Sequence, residues 1–160
     1  MGSRMGIAMF YHLTRSGVDE TLRMLLDRAR GQGWRVMIRS PDRAALERLD
    51  LALWSDPPEG FLPHGMEGGP HDAAQPVLLG QGPVANGAQG LFLLDGAEAT
   101  VDEARALERV WLLFDGGDPD AVQAARVKWK ALTGAGLPAQ YWSEETGRWQ
   151  KKAESPAVGA

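Results

Sequence analysis

Short apolar runs alternate with amphipathic stripes along the first third of the chain, and this alternation restricts the fold more than any other feature. Met9-Phe10-Tyr11-His12-Leu13 is an aromatic-rich apolar run of strand length. Val18–Arg30 follows, with Leu22, Leu25, Leu26 and Ala29 spaced three and four apart. That spacing gathers them on one face of a helix, which Gly31-Gln32-Gly33 ends. Trp34–Arg39 predicts a second strand. Ser40 then reads as an N-cap and Pro41 as the first residue of a helix carrying Ala45, Leu46, Leu49, Leu53 and Trp54. Strand, helix, strand, helix is the order of a parallel sheet covered by its own crossovers.

The same grammar returns after a long interruption. Leu91–Leu94 predicts a strand, Val101–Arg109 a helix and Val110–Phe114 a buried strand. Asp118 caps, and Pro119 starts, a helix to about Leu132, which Gly134-Ala135-Gly136 closes. Gln140–Ser143 and Arg148–Gln150 flank Glu144–Gly147 as a β-hairpin. The interruption, Ser55–Gly90, holds eight Gly and six Pro in 36 residues, with Val77-Leu78-Leu79 its one short apolar run. A loop of that length is functional or disordered rather than a passive connector. The expected domain is single and spans 9–153. Methionines at 1, 5 and 9 mark residues 1–8 as an appended or alternative start, and 154–160 form a flexible tail.

At 160 residues the chain can bury a core without staples. It has no cysteine, which excludes a disulfide framework, thiolate zinc sites and a cysteine nucleophile. Its apolar runs reach about half of the ~20 residues a bilayer requires, and no signal sequence opens it. The expectation is a soluble, cytoplasmic protein with no membrane role.

Motifs for catalysis fare poorly. Gly80-Gln81-Gly82-Pro83-Val84-Ala85 satisfies G-x-G-x-x-A after an apolar strand, the pattern that brings pyrophosphate against backbone N–H groups. Pro83 removes one of those N–H groups, and Asn86-Gly87 signals a turn where a helix is needed. His12, His64 and His71 lack metal-ligand spacing, and Asp115, Asp118 and Asp120 read as turn and capping acids. The expectation is no catalytic residue, no cofactor and no metal.

Charge is more informative. The chain carries 17 basic and 21 acidic side chains, a formal charge of −4, which disfavours coating a phosphate backbone. The balance is uneven, however: residues 1–120 hold a net −7, and residues 121–152 a net +4 that also includes Trp129, Trp142 and Trp149. On the helix after Asp118, Val122, Ala125, Trp129 and Leu132 form an apolar seam, with Gln123, Arg126, Lys130 and Thr133 opposite. Trp129 stands at the border, beside Arg126 and Lys130. An indole next to two cations suits an acidic peptide that also presents an aromatic ring. A second constellation runs from Leu53 to Gly65, where prolines stiffen a loop bearing Trp54, Phe61 and Leu62.

These pieces, in this order, resemble the chi subunit of bacterial DNA polymerase III, an accessory subunit of the clamp loader. The resemblance rests on Phe10-Tyr11-His12-Leu13, Gly33–Ile38, Leu49-Asp50-Leu51-Ala52-Leu53-Trp54, Phe61-Leu62-Pro63-His64, Gln75-Pro76-Val77, Ala125–Lys130 and Tyr141-Trp142. The L-D-x-A-L-W…F-L-P-H spacing is its most specific part. It implies a three-layer α/β/α fold like nucleotide-binding folds without their phosphate loop, and a non-enzymatic adaptor. It also implies two partners: the acidic, phenylalanine-ended tail of single-stranded DNA-binding protein, and the psi subunit. By match, Trp54, Arg126, Trp129 and Lys130 fall at the tail-binding surface, and Phe61, Leu62, Pro63 and His64 at the surface for psi or another clamp-loader or helicase partner. Family members can carry a further basic residue one turn before the arginine; here Val122 stands there, and Lys128, Lys151 or Lys152 are the available substitutes. Two rival readings stand beside it. One is an enzyme holding a nucleotide at Gly80–Gly87. The other is direct single-strand binding by Trp129, Trp142 and Trp149.

Overall fold

The computed structural model describes residues 6–55 and 63–156. The first half contains β1 (Ile7–Leu13), α1 (Val18–Gly31), β2 (Val36–Arg39) and α2 (Arg43–Ser55). β3 (Gly65–Met66), a 3-10 turn at Asp72–Ala74 and β4 (Val77–Gly80) lie within the Gly/Pro-rich stretch. β5 (Gly90–Leu93), α3 (Val101–Ala106), β6 (Arg109–Asp115) and α4 (Pro119–Gly134) follow, and β7 (Ala139–Ser143) and β8 (Gln150–Ser155) form the closing hairpin. The strands make one sheet in the order β3-β4-β2-β5-β6-β1-β7-β8. Every pairing is parallel except that of β7 with β8.

Strand order decides which face each helix covers. The crossovers from β1 to β2 and from β2 to β4 run towards the β3 edge; those from β5 to β6 and from β6 to β7 run the opposite way. Right-handed crossovers running in opposite directions must lie on opposite faces. α1 and α2 accordingly bury Leu22, Leu25, Leu26, Leu46, Leu49 and Leu53 against Tyr11, Val36, Ile38, Phe92 and Trp111. α3 and α4 bury Ala104, Ala125 and Leu132 against Phe10, Met37, Leu91, Leu93 and Leu112 on the other face. Neighbouring strand residues such as Met37 and Ile38 are divided between the two cores, as the two-residue repeat requires. The central strands are thus apolar on both sides, which is why their sequences read as continuous runs. Trp111 stacks on Phe92 at 4.1 Å between ring centroids, and its ring lies where a Cβ on Gly90 would stand. Gly90 is there for that indole.

Several boundaries differ from the sequence reading. β1 takes in Ile7 and Ala8, two residues assigned to an appended start, because Ala8 is buried and paired with both β6 and β7. Glu154 and Ser155, read as tail, belong to β8 and pair with Gln140 and Ala139. The helix after β2 begins at Arg43, two residues beyond Pro41, and it is Asp42 that accepts the N–H of Ala45. The Ser40 hydroxyl instead donates to Asp95, 55 residues away, and accepts the N–H of Asp42. Asp118 caps α4 as expected, accepting the N–H groups of Asp120 and Ala121.

Two polar anchors hold the loops to this frame. Arg39, buried at the end of β2, donates to both carboxylate oxygens of Glu103 (2.8 and 2.5 Å) and to the carbonyls of Gly82 and Glu98. The Arg39 hydrogen bond holds the Glu103 carboxyl below the usual carboxylate range, against the opposing effect of burial. Glu144, on the β7–β8 hairpin, is 5% exposed and accepts the N–H of Thr14 and both the N–H and hydroxyl of Ser16. Burial pushes its pKa up, but those hydrogen bonds outweigh burial and hold it below its ordinary value.

A carboxylate with a depressed folded-state pKa stabilises above its unfolded value of about 4.3 and loses that contribution as pH falls through the folded value. Glu144→Gln is therefore expected to cost about 1–3 kcal/mol at pH 7. The difference from wild type should shrink in urea titrations repeated near pH 3.

Candidate functional site: the two helix-bearing faces

The loop that imitates a phosphate site is occupied by the chain itself. Glu67 reaches into the Gly80–Gly82 turn and accepts the N–H of Gln81 at 2.8 Å and that of Gly82 at 3.2 Å. A Cβ on Gly80 would collide with that carboxylate, so the glycine serves Glu67 rather than a ligand. No helix lies between β4 and β5, and no group of three His, Asp or Glu among the described residues could hold a metal. Glu67 was invisible as a partner in the sequence because 14 residues separate it from Gln81.

α4 presents the charged aromatic patch that its projection predicts. Arg126 and Lys130 are exposed, and no described carboxylate pairs with either. Trp129 is half-buried, its ring edge-on to Phe10 at 5.3 Å and to Tyr141 at 6.1 Å. Tyr141 in turn hydrogen-bonds the imidazole Nδ1 of His12 at 2.7 Å. Burial raises the Tyr141 pKa, and the positive charge of Arg126 opposes the rise. Sequence reasoning put Tyr141 in a hairpin and His12 in a strand, but not at the foot of this helix. On the opposite flank of α4, Val127 is 58% exposed. It joins Lys128, Ala131, Val101 and Ala104 around a cavity of about 570 Å³ between α3 and α4.

Trp54 is not part of that patch. It stands on α2, on the opposite face of the sheet and near the β3–β4 edge, where its ring lies tilted against that of His64, 4.1 Å between centroids. The structure does not bring Trp54 together with Arg126, Trp129 and Lys130. A helical projection tells which way a residue points on its own helix, not which side of the sheet receives the helix. His64 is buried, with Nε2 against the Asp50 carbonyl at 3.1 Å, so it supports Trp54 from beneath. Pro63 is half-buried; Phe61 and Leu62 lie outside the described residues. Leu51, 66% exposed beside the 46% exposed Trp54, was missed, although it falls off the Leu46, Leu49, Leu53 stripe. The grouping of Trp129 with Trp142 and Trp149 also divides, since the latter two pack on the α1–α2 face.

This geometry defines an α/β protein whose exposed chemistry sits on helix flanks and not in a phosphate loop at a strand end. Its relatives agree. The family described as "DNA polymerase III chi subunit, HolC" matches residues 5–140. The "DNA polymerase III subunit chi" of Pseudomonas aeruginosa is 31% identical over 119 residues, covering 72% of this chain and 79% of its own. That of Escherichia coli (strain K12) is 33% identical over 106 residues, covering 66% and 71%. The chain belongs to the DNA polymerase III chi subunit family, the non-catalytic accessory subunits of this replicative holoenzyme.

The Glu67 contact has a measurable consequence. Glu67→Ala exposes two turn N–H groups without an acceptor, and a loss of about 1 kcal/mol in urea denaturation is expected. Gly80→Ala should show a similar loss by displacing the same carboxylate, and the double variant should cost less than the sum.

Proposed function

We propose that this protein is a replication adaptor that grips the acidic, aromatic-ended C-terminal tail of single-stranded DNA-binding protein on the Arg126–Trp129–Lys130 flank of α4, and thereby links it to the clamp loader. The observation that carries this reading is a pair of exposed cations one helical turn apart, unpaired with any described carboxylate, on either side of an indole held edge-on by Phe10 and Tyr141. Like charges at this spacing cost a helix a few tenths of a kcal/mol. An acidic peptide relieves that repulsion and gains charge-assisted hydrogen bonds, while its aromatic end packs against the Trp129–Tyr141 edge. Tyr141 extends the site assigned from sequence.

Leu51 and Trp54 form a second docking surface on the other face, for psi or an alternative clamp-loader or helicase partner. Its support is an exposed apolar pair backed by buried His64 and adjoining the Pro63 end of the Phe61–His64 segment. Opposed surfaces let one molecule hold two partners at once.

Titration of an acidic, phenylalanine-ended peptide against the full chain tests the assignment. Arg126→Ala is expected to weaken binding about tenfold, equivalent to one charge-assisted contact of ~1.4 kcal/mol. Affinity should fall with added salt, as exposed charges are screened beyond ~8–10 Å. Trp54→Ala should leave the peptide affinity unchanged while weakening capture of psi. Equal affinity of wild type and Arg126→Ala would remove the peptide from α4.

A further inference from the structure

Behind α4, on the α1 face, lies a cavity of about 340 Å³ that the adaptor role leaves unused. Four of the six tryptophans line it: Trp34, Trp111, Trp142 and Trp149. They come from three separate segments, the residues before β2, β6 and the closing hairpin, so only the finished fold assembles them. Their rings are held in place. Trp34 and Trp111 are 6.2 Å apart, Trp149 meets Tyr11 edge-on at 5.2 Å, and the Trp142 indole N–H donates to Gln140. Two arginines complete the lining. The Arg109 guanidinium lies 5.3 Å from the Trp34 ring and 6.0 Å from the Trp111 ring, and its Nε is buried with no acceptor. Arg28 stands exposed on α1, and neither arginine pairs with a described carboxylate. Both lie close enough to the Tyr11 phenol to oppose the rise that burial imposes on its pKa.

A cavity walled by indoles favours flat rings, whereas two uncompensated guanidiniums exclude a cationic guest and call for an anion. Its volume is that of a site for one small ligand. A nucleobase joined through its sugar to a phosphate combines a flat ring with a negative charge in one unit. We propose that this cavity receives one nucleotide of a single-stranded nucleic acid, the base against the Trp142–Trp149 wall and the phosphate at Arg28 and Arg109. The arrangement is a stacking platform with a local cationic rim on an otherwise acidic chain. It replaces the Trp129–Trp142–Trp149 grouping with one that the fold builds. It is independent of the peptide site on α4, because the two lie on opposite faces of the sheet.

The indoles supply the readout. Tryptophan fluorescence of the full chain is titrated with an eight-residue oligothymidylate, with thymidine monophosphate and with the acidic phenylalanine-ended peptide. Saturable quenching by the oligonucleotide is expected, at least tenfold tighter than by the mononucleotide and weakened by salt. Arg28→Ala should weaken it about fivefold with the fold intact, since the side chain is exposed, and Arg28→Lys should restore part of the loss. Arg109→Gln should weaken it about tenfold, and Arg126→Ala should not affect it. Absence of saturation up to millimolar oligonucleotide, or equal affinity of wild type and Arg28→Ala, would overturn the proposal. So would a mononucleotide that binds as tightly as the strand, or a peptide that fills the cavity with the same sensitivity to Arg28 and Arg109.

Discussion

Burial of the sheet on both faces is the constraint from which the rest of this molecule follows. β2, β5 and β6 sit in the middle of the order, with α1 and α2 over one side and α3 and α4 over the other. Side chains such as Phe10, Met37, Ile38, Leu91 and Phe92 are wholly inaccessible. With the middle strands covered, contact with other molecules passes to the outward flanks of helices, to the loops and to gaps that the helices leave over the sheet, such as the tryptophan-lined cavity. Burial also makes polar intruders costly unless every donor finds an acceptor. Arg39 gives each of its three guanidinium nitrogens an acceptor, through one carboxylate and two carbonyls, and in doing so ties β2 to the loop after β4 and to the start of α3.

The Gly-rich turn after β4 has the donors of an anion site and fills it from within. Backbone N–H groups in a Gly-rich turn after a parallel strand attract anions. In this chain the anion is the covalently attached carboxylate of Glu67, at an effective concentration no free phosphate can match. Helix capping and anion binding are the same electrostatics, and here an internal acid satisfies the donors. Glu144 does likewise for the turn between β1 and α1.

Legibility in the sequence followed the range of the interactions involved. Apolar spacing placed α1, α2 and α4 within a few residues, and Asp118 and Pro119 marked the start of α4 because a cap and its N–H groups are near neighbours. Ser40 misled for the converse reason: its hydroxyl is claimed by Asp95, a contact no local pattern encodes. The same limit explains the tryptophans. Trp129 was correctly placed on the border of its helix, yet its separation from Trp54 depends on strand order and on the direction of each crossover. The cavity formed by Trp34, Trp111, Trp142 and Trp149 escaped notice because its walls are spread over 116 positions, from 34 to 149 inclusive.

The closing hairpin has a further consequence. β8 is the long outer strand of the sheet, six residues with one edge unpaired among the described residues, and an unguarded edge of that length recruits a second copy of itself. Lys151 and Lys152 sit on it, both exposed, opposite a register shift between Tyr141 and Trp142. Charge and irregular register are the usual obstacles to strand-to-strand polymerisation. Part of the basic surplus at the end of this chain thus lies along an outer strand, where the like charges of Lys151 and Lys152 oppose pairing with the same edge of a second copy.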